Sequence, residues 1–292
     1  MKSLKIALNN RTFEIELAPE FCPETLKQLE SCLPFRTELH YAKIAGEEIM
    51  AVMPFHVPLE SPMDVSRVKA GMLAFWPQRN LLCLYYGRMQ EESASITFLG
   101  YLKDEVAQFA PVGEEVRRDQ GKKLTYGTFY VDAPPSEAPV IKPTYPPLHP
   151  FEYEIWEKLP DEILELTKRS GIMRPVGPLL YAEADTHAFH EYLAVSKDIL
   201  PSDINTLSIF SKVFGQHLKA FHNKMAGWYL LPQTAAVIES YLGRFSQLDQ
   251  RTVFEGLLEN LTLFVGRLNY WIDALIPWDD FNENMKRNPG IG

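Results

Sequence analysis

The sequence predicts an α+β protein, a strand-rich first half followed by a helical second half. Three observations predict it. Short apolar runs broken by turn residues recur as far as Val131, seven prolines crowd the stretch from Asp132 to Pro150, and apolar residues thereafter return every three to four positions. The expected organisation is a first domain over residues 1–132, a proline-rich linker over 133–150 and a helical bundle domain over 151–292.

In order, Leu4 to Leu8 and Thr12 to Leu17 read as a hairpin turning at Asn9-Asn10-Arg11, with Phe13, Ile15 and Leu17 on one face. Pro19 to Leu33 carries a helical pattern in Phe21, Leu26, Leu29 and Leu33, with Pro23 near its first turn. Strands are expected over Phe35 to Ala42 and Ile49 to Met53, and a loop over His56 to Arg67, where Pro58 and Pro62 fall. Gly71 to Gly100 holds the clearest hairpin: Met72 to Trp76 and Leu81 to Tyr86 around the turn Pro77-Gln78-Arg79-Asn80, then an apolar run from Ile96. Gly87, Arg88, Glu91, Glu92, Ser93 and Ser95 crowd the end of its second strand, and polar groups held by rigid strands make this the expected wall of a site. Lys103 to Phe109 reads as a short helix, Val112 to Glu115 as a turn and Lys123 to Val131 as the last strand.

The proline density of the linker excludes helix and central strand and favours a semi-rigid extended connection. Five helices are expected beyond it, over Phe151 to Ser170, Leu179 to Val195, Ile204 to Leu230, Thr234 to Leu248 and Arg251 to Ile276, with Ser202, Asp203 and Asp249 as caps and a frayed tail from Asn282.

Composition bounds the function. The 292 residues carry 29 Lys and Arg against 38 Asp and Glu, a net charge of -9 that argues against nucleic acid or an anionic membrane as partner. No run of about 18 apolar residues offers a membrane span, and MKSLKIALNN lacks a signal-peptide core. Cys22, Cys32 and Cys83 form neither a CxxC pair nor a metal-ligand spacing, which fits a reducing cytoplasm. No GxGxxG or GxxxxGK[ST] motif points to a nucleotide cofactor. His187, His190 and Glu191 lack a clear third ligand and a HExxH order, so no metal site is expected. Phe210, Phe214, Phe221, Trp228 and Trp271 read as bundle core.

The segments Gly46-Glu47-Glu48-Ile49, Phe75-Trp76-Pro77, Leu82 to Gly87 and Ser93-Ala94-Ser95, in their order of strands, resemble small bacterial cyclophilin-like barrel proteins over residues 1 to 132. Followed by a proline linker and a helical half, the chain resembles the cucumopine and mikimopine synthase family of opine-forming enzymes. The resemblance implies a cyclophilin-like β-barrel followed by an α-helical bundle, and a cofactor-free Pictet-Spengler condensation of L-histidine with 2-oxoglutarate. It implies small-molecule substrates, and the bundle would close the pocket or make an oligomer interface. Proline isomerase activity is not expected, because the arginine-bearing stretch and glutamine-glycine-rich strand of true cyclophilins have no match.

Such a reaction needs cations for carboxylates, an acid for the leaving water and a base for the last proton. The candidates for catalysis are Glu47 and Glu92 as bases and Tyr86 as proton donor. Those for binding are Arg88 as carboxylate clamp, Ser93 to orient an oxygen, Trp76 as apolar wall, Tyr126 to donate or stack, and Lys103 as second cation. Each has an ordinary reading as well, a solvated charge or a core aromatic. The competing functional class is a non-catalytic module that binds a small ligand or peptide.

Overall fold

The structure, a computed structural model, describes residues 1–43, 46–89, 94–104, 106–169, 177–246 and 250–287. The chain forms two compact units, Met1–Ile141 with Ala274–Gly292, and Lys142–Asp273.

The first unit is an antiparallel barrel. β1 (Ser3–Leu8) and β2 (Arg11–Leu17) form the opening hairpin, with Asn9 and Asn10 both at positive φ as a type I′ turn requires. α1 (Pro23–Cys32) starts later than its periodicity suggests, because Pro23 is favoured in a first turn and no side chain caps the residues before it. β3 (Phe35–Tyr41), β4 (Gly46–Val52), β6 (Met72–Trp76), β7 (Leu81–Met89), β8 (Ser95–Leu102) and β9 (Thr125–Tyr130) complete the ring. β5 (Pro62–Asp64) falls where a loop was expected. The sheet order is β2-β1-β9-β3-β4-β7-β6-β8-β5, and pairing of β2 with β8 closes eight strands on themselves, leaving β5 attached to β8 outside the ring. Closure removes the exposed sheet edges of those eight strands.

Two other expectations are corrected here. β7 does not stop at Gly87 but runs on to Met89. Val112 to Glu115 is helix, not turn: α2 (Val106–Asp119) runs through Pro111, since buried Phe109, Val112, Gly113 and Val116 recur at helical spacing and outweigh the one lost hydrogen bond. Phe109 meets Phe13 edge to face at 4.9 Å, which sets α2 against the barrel core. The residues after 274 also belong to this unit. Gly121 N–H donates to Ala274 O at 2.9 Å, Lys122 pairs with Asp280 at 2.7 Å, and the tail expected to fray from Asn282 is helical as far as Arg287, in α9 (Trp278–Arg287), its last five residues lying outside the described ones.

The second unit is helical. The single helix expected from Phe151 is two, α3 (Phe151–Glu157) and α4 (Asp161–Thr167), because Pro160 cannot continue a helix and serves as the cap of the next. α5 (Gly177–Asp198), α6 (Ile204–Asn223), α7 (Pro232–Phe245) and α8 (Arg251–Ala274) follow, and α6 runs into a π-helical turn at Lys224–Trp228. Asp203 caps α6 by accepting from Thr206 N–H at 2.9 Å, while Asp249 lies outside the described residues. Glu162 caps α7 through the Gln233 and Thr234 amides. The C-terminal carbonyls of α3 are satisfied by buried side chains of α8, Arg267 on Ile155 and Trp156 and Trp271 Nε1 on Ile155. Phe214, Phe221 and Trp271 are core as expected, but Trp228 is 79% exposed on the π-helical turn. Among the described residues no helix is long and apolar enough to cross a membrane, and no three His, Cys, Asp or Glu converge as metal ligands.

Candidate active site on the barrel wall

Cross-strand partners share a face, so the register sorts the barrel's side chains. Phe35, Thr37 and Leu39 of β3 alternate with Arg36, Glu38 and His40. The first set lies with Phe129, Ile6, Phe13, Leu84 and Tyr86 on the face that meets α2. The second lies on the opposite face, where Glu38 stands across from Tyr126, His40 across from Met50 and Glu48 across from Tyr85.

The inner face is closed by packing. Tyr86 is buried against Phe109, and its hydroxyl donates to Glu114 Oε1 at 3.2 Å. Burial, then Glu114, push its phenol far above the usual range. A Cβ at Gly113 would stand 2.4 Å from the Tyr86 ring, so only glycine lets α2 come this close. Arg117 is engaged by Glu114 at 2.8 Å and by Asp279 of α9, and lies 6.0 Å from the Tyr41 ring. This arrangement ties α2 and α9 together.

The other expected residues scatter. Glu47 lies where the β4–β7 register shifts, over Gly87, and its carboxylate accepts the Arg88 backbone N–H. The Arg88 side chain is exposed. Trp76 sits at the β6–β7 turn with Arg79 stacked 5.1 Å away. Lys103 pairs with Glu14 at 2.7 Å, an interaction that draws the Glu14 carboxyl below its ordinary value. Glu92 and Ser93 lie outside the described residues. Tyr126 stands on the outer face, under the guanidinium of Arg36 at 4.2 Å, and Trp76, across from Leu81, lies on that face too.

That outer face also holds three buried ionisable residues that were not among the expected ones. Glu38 is 1% exposed, His40 2% and Glu48 4%, two carboxylates and an imidazole withdrawn from water on neighbouring strands. Glu48 is diagonal to His40 across β3 and β4, which puts their Cβ atoms about 7–8 Å apart or less. Glu38 and His40 also line a cavity of about 10 Å³, room for one water, together with Leu39, Val116, Gln120 and Thr125. Buried ionisable side chains are uncommon in folds, and two carboxylates with an imidazole on one face are the groups of this barrel that proton transfer could use.

This architecture defines a cyclophilin-like barrel joined to a helical unit. The Cyclophilin-like family model matches residues 2–115. No curated protein matches the chain. Among solved structures, that of McbB in complex with tryptophan superposes with a TM-score of 0.78 at 15% identity, covering 96% of this chain and 99% of McbB. The two share their fold along nearly their whole lengths. A hypothetical protein from Archaeoglobus fulgidus, known in solution, gives a TM-score of 0.35 at 19% identity, over 44% of this chain and 93% of its own.

Proposed function

We propose that this chain is a cofactor-free condensing enzyme of the Pictet-Spengler type, joining an amino acid that bears an electron-rich ring to a small 2-oxo acid. The observation that carries the reading is the buried set Glu38, His40 and Glu48 on one barrel face. The amine adds to the carbonyl to give a carbinolamine, and an acid protonates the departing hydroxyl to leave an iminium ion. The ring carbon then attacks the iminium carbon, and a base takes the ring proton to restore aromaticity. One acid and one base suffice, and two carboxylates with an imidazole supply both, so we assign Glu48 as the ring-proton base and the Glu38–His40 side as the source of the proton.

The tryptophan bound by McbB supports the amine class. Tryptophan and histidine both hold a nucleophilic ring carbon where attack on an imine closes a six-membered ring. Histidine with 2-oxoglutarate is therefore one pair to test and tryptophan with the same acid another. The test is incubation of the purified chain with each pair and mass spectrometry for a product lighter than the summed reactants by one water. Borohydride reduces an open imine and leaves the cyclised product unchanged. A borohydride-stable product is expected; its absence for every pair of ring-bearing amino acid and 2-oxo acid overturns the proposal and leaves a binding module.

A further inference from the structure

Arg36 occupies the same barrel face as the buried acids, two residues from Glu38 and four from His40. At about 3.3 Å per residue these Cα positions lie roughly 7 Å and 13 Å away along the strand. Its side chain is exposed, with the guanidinium carbon 4.2 Å from the Tyr126 ring centroid. Its backbone is fixed on both sides, the N–H donating to Pro139 O at 2.8 Å and the carbonyl accepting from Ile141 N–H at 3.1 Å. Among the described residues no carboxylate stands within ion-pair distance of it. A guanidinium resting on an aromatic ring keeps its edge N–H donors free, in the fork that matches a carboxylate.

We infer that Arg36 is the carboxylate-binding residue for the oxo-acid substrate and that Tyr126 holds it in place. This deepens the proposed function and rests on it for the identity of the reaction. The pair selects substrates that carry an acid group beside the reacting carbonyl or at the far end of a short chain, and discriminates against neutral aldehydes. Arg36 anchors the acid group on the face that also holds Glu38 and His40, so it acts through binding and orientation.

The experiment compares wild type, Arg36→Gln, Arg36→Lys and Tyr126→Leu with 2-oxoglutarate, pyruvate and acetaldehyde. In Arg36→Gln the KM for both oxo acids rises about 10-fold or more with kcat little changed, while acetaldehyde turnover is unaffected. Arg36→Lys recovers part of the loss, and Tyr126→Leu shares it. Equal losses for acetaldehyde and the oxo acids, or an unchanged KM, overturn the inference. A second measurement is independent of turnover: titration with glutarate, which has no carbonyl to react. Binding to wild type that Arg36→Gln abolishes sustains the site even if no condensation product is found. Equal binding by both, or none by wild type, overturns it whatever the chemistry proves to be.

Discussion

Glu47 and Glu48 are neighbours in the chain with opposite fates: Glu47 caps the Arg88 amide over Gly87, and Glu48 is buried across from Tyr85 on the outer barrel face. Successive residues of a strand point to opposite sides of the sheet, so one step along β4 separates the carboxylate that holds a backbone amide from the one proposed as the base. Glu48→Gln is expected to lower kcat by about 100-fold or more with the fold intact. Glu47→Gln is expected to keep kcat and lose about 1–2 kcal/mol of stability. Steady-state rates and urea unfolding on both variants check the pair, and the reverse pattern would exchange their roles.

Gly87→Ala places a methyl 1.8 Å from the Glu47 carboxylate. The expected cost is about 1–3 kcal/mol, since the carboxylate must leave the Arg88 amide. Combined with Glu47→Ala the cost should be less than the sum of the two, because the same contact is removed twice. A double-mutant cycle by chemical unfolding measures this, and strict additivity would show that the two do not interact.

Gly113→Ala drives a methyl into the buried Tyr86 ring. We expect about 1–3 kcal/mol of destabilisation. Tyr86→Phe removes only the hydroxyl bonded to Glu114 and should cost about 0.5–1.5 kcal/mol without altering product formation. Lost turnover in a folded Tyr86→Phe protein would place the chemistry on the inner face after all.

The helical unit should be alkali-sensitive. Tyr241 is buried, and its hydroxyl donates to Glu152 Oε2 at 2.7 Å. Burial first, then Tyr145 and Glu152, raise its phenol pKa, and burial raises that of Tyr145 likewise. In the unfolded chain these phenols ionise near about pH 10, whereas the folded chain keeps their protons. Stability is therefore complete below about pH 10 and falls as pH rises above it, because the unfolded state then binds fewer protons. Unfolding midpoints should drop from about pH 9 to pH 11 in wild type and more shallowly in Tyr241→Phe; parallel profiles would exclude this origin.

The fold was legible where periodicity and punctuation agree, in the Asn9-Asn10 hairpin, the β6–β7 pair and the proline-rich segment. It was misread where a proline was given too much or too little weight. Pro111 sits inside α2 because four buried residues hold it there, and Pro160 divides α3 from α4 although the apolar pattern runs through. The site was less legible. Polar residues alternating in β3 read as solvent-facing, and nothing local to Glu38 and His40 tells that their side of the barrel is withdrawn from water. Which face Glu47, Glu48, Tyr85 and Tyr86 take is a matter of strand parity, and the register shift between Gly46 and Glu48 makes that parity unreadable from spacing alone.

Because residues from Ala274 onward group with the barrel, the helical unit is an insertion rather than an appendage. Its two ends, at Lys142 and Asp273, both continue into the same partner. A recombinant fragment ending in the proline-rich segment would lack α9 and leave Arg117 without Asp279 and Gly121 without Ala274. The severable piece is the internal one: excising residues 142–273 and bridging the gap would keep every strand of the barrel together with its last helix.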